Sequence, residues 1–174
     1  MDLDLADHLL KKRVVVLSGD CDGRAQQNIC ASIIGLNVVS AEDPITLYID
    51  SGGGGIYAGM HLYDVITKSA APVTGVVVGR AVSAAFNTLQ ACHVRQAMPH
   101  AILMNHSPEL VCLRIDQPDL EKELKERRDW HELIISRLVE RGKVPRAQFE
   151  LWSQEERYFN AQESLEFGMI DEII

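Results

Sequence analysis

A chain of 174 residues with a formal net charge of −8 has the length of one domain with a full hydrophobic core, and its acidity argues against a nucleic-acid phosphate backbone as partner. No uninterrupted apolar run approaches the ~20 residues that cross a bilayer, and Met1 leads straight into the charged MDLDLADHLLKKR rather than an apolar signal region. Cys21, Cys30, Cys92 and Cys112 show neither CxxC nor zinc-ligand spacing, so the expectation is a soluble cytoplasmic protein with free thiols and no metal, cofactor, nucleic acid or membrane.

Leu3 to Lys12 has the spacing of a short amphipathic helix, and Arg13 to Leu17 that of a first strand, ended by Ser18-Gly19-Asp20. Arg24 to Val39 reads as a longer helix with Ile29, Ile33, Ile34 and Leu36 on its apolar face. The second strand, Ile45 to Ile49, runs into a glycine turn, Asp50-Ser51-Gly52-Gly53-Gly54-Gly55, and Ile56 to Ser69 is again helical through Ile56, Met60, Leu62, Tyr63 and Ile66. Val73 to Val78, short, β-branched and bounded by glycine, is the central strand, and a helix-prone segment opens just after it at Ser83. Val94 to Met98 and Ala101 to Met104 form two short strands around Pro99, and Val111 to Ile115 alternates as another. Pro118 to Arg141, closed by Gly142, is the longest helix; its apolar face of Leu120, Leu124, Ile134, Ile135 and Leu138 lies in a charged background and suits a solvated or subunit-contacting element. A brief strand then meets a capping box, Asn160 with Glu163, whose helix stops at Gly168, and Met169 to Ile174 is the last strand. Strands alternating with helices at this spacing predict an α/β class with a largely parallel sheet, in a single domain over residues 1–174.

Two turns carry candidate chemistry. Ser83 sits where a buried strand becomes a helix, close to N–H groups that a helix start leaves unpaired. A serine N-cap is the common occupant of such a place, and a nucleophile is the other reading. The glycine run either cradles phosphate, although it lacks GxGxxG and a GK[ST] ending, or brings N–H groups close to a bound backbone or a developing oxyanion. Both turns lie at the C-terminal ends of adjacent strands, where α/β sheets place ligands. Of the six histidines, His106 alone directly follows an apolar strand; a structural and a catalytic role are both open for it.

Asp50 to Gly55 with Ala58-Gly59-Met60 and Tyr63-Asp64 resembles the "SPGG…AGM..YD" segment of ClpP, the proteolytic subunit family of the Clp proteases. Gly79-Arg80-Ala81-Val82-Ser83 is similar to that family's "G.AAS", Ile102 to His106 to its "VMIH", Tyr158 to Asp171 to its "F.SA.EA.EYGL.D", and LLKKRVVVLSG to its first strand. The motifs come in the family's order over nearly the whole chain. The resemblance implies a ClpP/crotonase-like β-β-α spiral with a projecting handle helix, and a serine endopeptidase with Ser83 as nucleophile, His106 as general base and Glu156 at the acid position. It implies Gly54 and Ala84 N–H groups as oxyanion donors. An extended peptide or unfolded protein would bind between Gly53, Gly55 and Ile56 on one side and Glu109 on the other. A homo-oligomer of heptameric rings, stacked as a tetradecamer through the long helix, and an AAA+ ATPase partner are implied as well.

Departures accompany the resemblance. The family's acid is aspartate where Glu156 stands, the stretch from Ser83 to His106 is shorter than the family's, and Ser107 to Cys112 replaces a Gln-Pro and glycine-rich stretch. The chain begins almost at its first helix, an expectation against the ATPase partner and for a stand-alone or phage-maturation-type peptidase. The alternatives are a catalytically weak or inactive ring subunit and a crotonase-type acyl-CoA enzyme.

Overall fold

The computed structural model describes residues 3–107 and 117–174. In chain order its elements are α1 (Leu3–Lys11), β1 (Val14–Cys21), α2 (Gly23–Val39), β2 (Ile45–Gly54), α3 (Ile56–Thr67), β3 (Val73–Val82) and α4 (Ala84–Ala91). They continue with β4 (Val94–Ala97), β5 (Ile102–Met104), α5 (Gln117–Arg141), α6 (Arg146–Gln154), β6 (Tyr158–Asn160), α7 (Ala161–Glu166) and β7 (Glu172–Ile173). The expected strand from Val111 to Ile115, with Glu109 and Cys112, lies outside the described residues. Among the described residues no helix is long and apolar enough to cross a membrane.

The first four strands are parallel neighbours joined by helices, as the alternating pattern predicts, with β7 parallel on the far side of β4. Val15, Leu17, Leu47, Ile49, Val73 and Val77 point to one face and join the core beneath α2, α3 and α4. On the opposite face Val16 and Val78 stay exposed and Thr46 and Tyr48 are partly so. Among the described residues that face is covered only in part, with Val76 at 2% exposure beside the open Val78, although parallel sheets are normally covered on both sides.

Strand β3 is shared. Its first half, Thr74 to Val77, pairs with β4, and its second half, Arg80 to Val82, pairs with β5 on the same edge. The chain leaves β4, turns at Met98–Ala101 with Ala101 N–H bonded to the Met98 carbonyl at 3.0 Å, and rejoins the same strand. β6 then adds antiparallel to β5, Met104 opposite Tyr158.

Three strand ends differ from the sequence reading, and for one reason. β1 continues through Ser18-Gly19-Asp20 to Cys21, β2 through the glycines to Gly54, and β3 past Gly79 to Val82. Local glycine content argues for turns there, but ladder partners offset the local cost: Asp20 pairs with Gly53, Cys21 with Gly54, and Ser51 with Ala81. The β2–β3 register shifts between Ile49 and Ser51. At the shift Asp50 Oδ1 accepts the Arg80 N–H at 3.2 Å, and a Cβ at Gly79 would collide with the Asp50 carboxylate.

The helices divide likewise. Asp22 caps α2, its carboxylate accepting the N–H groups of Arg24 and Ala25. Ile29, Ile33 and Leu36 of α2 are buried as expected, whereas Ile34 is 53% exposed on the outer side. The expected partner-facing stripe of α5 is split: Ile134, Ile135 and Leu138 are 1% exposed in the chain's own core, and only Leu120 and Leu124, nearer the N-terminal end, remain partly open. α7 has the expected capping box, with Glu163 N–H on Asn160 Oδ1 at 2.8 Å and Asn160 N–H on Glu163 Oε2 at 3.1 Å.

A polar lock closes the C-terminal end. Arg95, only 1% exposed, holds Asp171 through Nη2–Oδ1 at 2.6 Å and Nε–Oδ2 at 3.1 Å, and gives Nη1 to Gln90 Oε1 at 2.8 Å. Arg141 adds a bond to Asp171 Oδ2 at 3.0 Å. Burial pushes the Asp171 carboxyl up, but the Arg95 bonds and charge, with Arg141 behind them, outweigh burial and hold the group below its ordinary value. A carboxyl depressed on folding contributes stability that is fully present above its ordinary value of 3.8 and is lost as pH falls through the folded value. Asp171→Asn is expected to cost about 2–3 kcal/mol at pH 7, less than a fully buried pair because the carboxylate is partly solvated, and to lower the melting temperature by roughly 4–12 °C. Calorimetry at pH 7 and at acid pH checks this: the gap between variant and wild type should narrow in acid, and equal melting at pH 7 would contradict it.

Candidate active site

The strand pairings assemble the site. Val82 lies opposite Met104, and Ser83 N–H donates to the Met104 carbonyl at 2.9 Å, so the residues just past both strands meet although 23 positions separate them. Tyr158 lies opposite Met104 on the other side of β5, which brings the residues just before Tyr158 to the same place.

Ser83 occupies the N-cap position of α4, but its side chain makes no cap hydrogen bond. Its φ of 55° and ψ of −122° belong to a sharp strand-to-helix elbow that favours glycine and strains any other residue. The hydroxyl is turned instead to His106, with Oγ 2.8 Å from Nε2.

The glycine stretch explains itself at two positions. Gly53 has φ of 92°, and a Cβ there would stand 2.6 Å from the Val82 carbonyl oxygen, 2.8 Å from Ser83 Cβ and 3.0 Å from Ala84 N. Only glycine lets this strand lie against the serine elbow. Gly54, φ 156°, packs instead on the Cys21 backbone. Gly53 N–H donates to Ser51 Oγ at 3.1 Å and Gly55 N–H to the Cys21 carbonyl at 3.2 Å, with exposed Gly54 between them. Ala84 is the first residue of α4, so its N–H has no partner within the helix. Gly55 is the N-cap of α3, and Ile56, next to it, packs partly into the core. Glu109 lies outside the described residues.

His106 follows β5, and both of its neighbours are tied to one residue of α6. Asn105 Nδ2 lies 3.4 Å from Ser153 Oγ, and Ser107 N–H donates to the Ser153 carbonyl at 3.0 Å. The far ring nitrogen, Nδ1, is 3.5 Å from Glu156 Oε1 and is buried without a hydrogen bond of ordinary length. Glu156 has φ of 52° and a side chain 51% exposed. Among the described residues, no three His, Cys, Asp or Glu side chains converge as a metal site would require.

Sequence reasoning identified Ser83, His106 and Glu156, which the structure brings together, and of the glycines it sets Gly53 against the serine elbow, while Gly54 and Gly55 lie against Cys21. It missed α6, and with it Ser153 and Trp152. Pro145 at the N-cap of α6 and the buried Phe149 and Trp152 along one face were the available signals. His131 lies on α5. Burial pushes its pKa down against the pull of Glu132 and Glu150, and the nearby His106 acts in the same direction as burial.

An imidazole nitrogen 2.8 Å from a serine hydroxyl can take that proton as the oxygen attacks a carbonyl, and a carboxylate on the far side can hold the ring and balance its charge.

The family model described as Clp protease matches residues 2–174 of the chain. Among curated proteins, the chain is similar to the ATP-dependent Clp protease proteolytic subunit of Deinococcus radiodurans, with 27% identity over 173 residues that cover 98% of this chain and 84% of the relative.

Proposed function

The chain belongs to the Clp protease family, and from that premise we propose that it is a serine endopeptidase with Ser83 as nucleophile, His106 as general base and Glu156 as the orienting acid. The observation that carries the reading is the 2.8 Å contact between Ser83 Oγ and His106 Nε2 on a strained elbow whose hydroxyl does no capping. In the reaction, Ser83 Oγ attacks the scissile carbonyl while its proton passes to His106 Nε2. The N–H groups of Gly54 and Ala84 receive the developing oxyanion, and Glu156 stabilises the imidazolium. His106 then protonates the leaving amine, and water releases the acyl group by the same route reversed. Donors aimed at an oxyanion are typically worth ~10²–10³ in rate each.

The substrate is an extended peptide or unfolded polypeptide, bound by strand addition between Gly53, Gly55 and Ile56 on one side and the segment holding Glu109 on the other. The exposed Val16 and Val78 on the outer face of the parallel sheet support assembly, here a homo-oligomer of heptameric rings stacked as a tetradecamer through the N-terminal half of α5, with cleavage inside the chamber. The relative's ATP dependence extends the proposal to an AAA+ ATPase that delivers unfolded chain, and to the cytoplasm as the place of action.

A fluorophosphonate probe tests the reading. The expected result is one covalent adduct, mapped by mass spectrometry to the peptide holding Ser83, on a protein that elutes far above the mass of one chain. Absent labelling or an adduct elsewhere would overturn the peptidase and leave an inactive subunit or acyl-CoA chemistry. Elution as a monomer would overturn the ring.

A further inference from the structure

We infer that Arg157 is a positioning residue that holds Glu156 in register with His106, by pinning the acid's backbone on a cage of three aromatic rings. The inference rests on the triad reading above.

The need for such a device follows from Glu156 itself. Its backbone stands in the left-handed region, at φ 52°, which a non-glycine residue leaves unless its surroundings over-determine it. Its side chain is half in solvent, and its carboxylate stops 3.5 Å from the imidazole. A carboxylate this loosely engaged depends on where its backbone is put.

Arg157 supplies the fixed point one residue on. Its guanidinium carbon lies 5.0 Å from the ring centroid of Trp152, 4.9 Å from that of Phe159 and 5.7 Å from that of Phe167. The rings also pack on one another, Trp152 against Phe159 at 5.0 Å and against Phe167 at 4.7 Å between centroids. Nη2 bonds Glu163 Oε1 at 2.8 Å, and the backbone N–H of Arg157 donates to the Trp152 carbonyl at 3.2 Å. One side chain thus ties together α6, which precedes Glu156, the strand β6, which pairs with β5 just ahead of His106, and α7 with its C-cap Phe167. A planar cation suits this role because it can stack on several rings and still present an N–H to a carboxylate.

The test is a double-mutant cycle read in kcat and KM with a small activated ester or fluorogenic peptide. Arg157→Met is expected to lower kcat by roughly 10–100-fold, the order expected of a displaced catalytic group, with KM changed less than about twofold. Arg157→Lys, which keeps the charge but not the plane, should recover part of the loss. In a Glu156→Gln background Arg157→Met should cost less than about twofold, because the group it positions is already gone. Wild-type kcat in Arg157→Met, or the same loss in both backgrounds, overturns the inference. If Arg157→Met does not fold, Glu163→Gln takes its place in the cycle: the amide oxygen can still accept the Asn160 N–H, while the charge facing Arg157 is removed. It should lower kcat about 3–10-fold in the wild type, and wild-type kcat overturns the inference. Failure of the underlying reading shows separately, as undiminished hydrolysis by Ser83→Ala or by Glu156→Gln alone.

Discussion

Ser83→Ala is expected to abolish peptide hydrolysis, a fall of roughly 10⁶-fold in kcat if the serine and histidine act as a unit, while the protein melts within a degree or two of wild type. The two halves of this expectation come from the same geometry. The Ser83 side chain makes a hydrogen bond to His106 Nε2 and none to the helix it begins. Removing the hydroxyl therefore takes away the nucleophile and leaves the α4 N-terminus as it was. Alanine must accept the same φ of 55°, so the elbow is no more strained than before. Parallel measurements of hydrolysis and thermal unfolding check the pair. Equal hydrolysis by variant and wild type would remove Ser83 from the mechanism.

Glu156→Gln carries the second large effect, a loss in kcat of roughly 10²–10⁴-fold. The upper figure is the loss seen when a triad carboxylate becomes an amide. The lower reflects the present contact, 3.5 Å long with the carboxylate half solvated. A glutamate is one methylene longer than an aspartate, which by itself favours overreach. The geometry is the reverse, for Oε1 stops short of Nδ1, and Nδ1 is buried without a hydrogen bond. Glu156→Asp would withdraw the carboxylate by about one more C–C bond, ~1.5 Å, and is expected to lower kcat as well. Near wild-type activity in Glu156→Gln would show that Glu156 does not orient His106, and a serine–histidine dyad would be the working unit; higher activity in Glu156→Asp would instead show a working triad whose glutamate is poorly aligned.

Local signals made much of this molecule legible. The valine runs marked β1 and β3, Asn160 with Glu163 marked the start of α7, and Pro99 marked the break between β4 and β5. His106 could be singled out because it ends an apolar strand. What stayed hidden depended on distant partners. The glycines of β2 look like a loop until Asp20 and Cys21 come alongside them. Ser153 tethers both neighbours of His106, Asn105 from 48 positions away and Ser107 from 46, on a nine-residue helix that periodicity alone did not reveal. The apolar positions of α5 share a helical face in sequence, but only the packing decides which of them the chain buries itself, as with Ile134 and Leu138. Glu156 came from its place before Tyr158 in a resembling motif, and nothing in its own neighbourhood announces it.

The elbow at Ser83 sets stability and chemistry against each other at a single position. Its φ of 55° and ψ of −122° are ones that glycine adopts freely and other residues adopt at a cost of ~1–3 kcal/mol. Selection for folding alone would therefore favour glycine at 83, and a lineage relieved of the need to cleave peptides would gain robustness from the very substitution that disarms it. On the proposed mechanism the serine is kept for its hydroxyl at a dihedral that suits glycine better, and a glycine in the same place would mark a sister protein that had traded its nucleophile for stability.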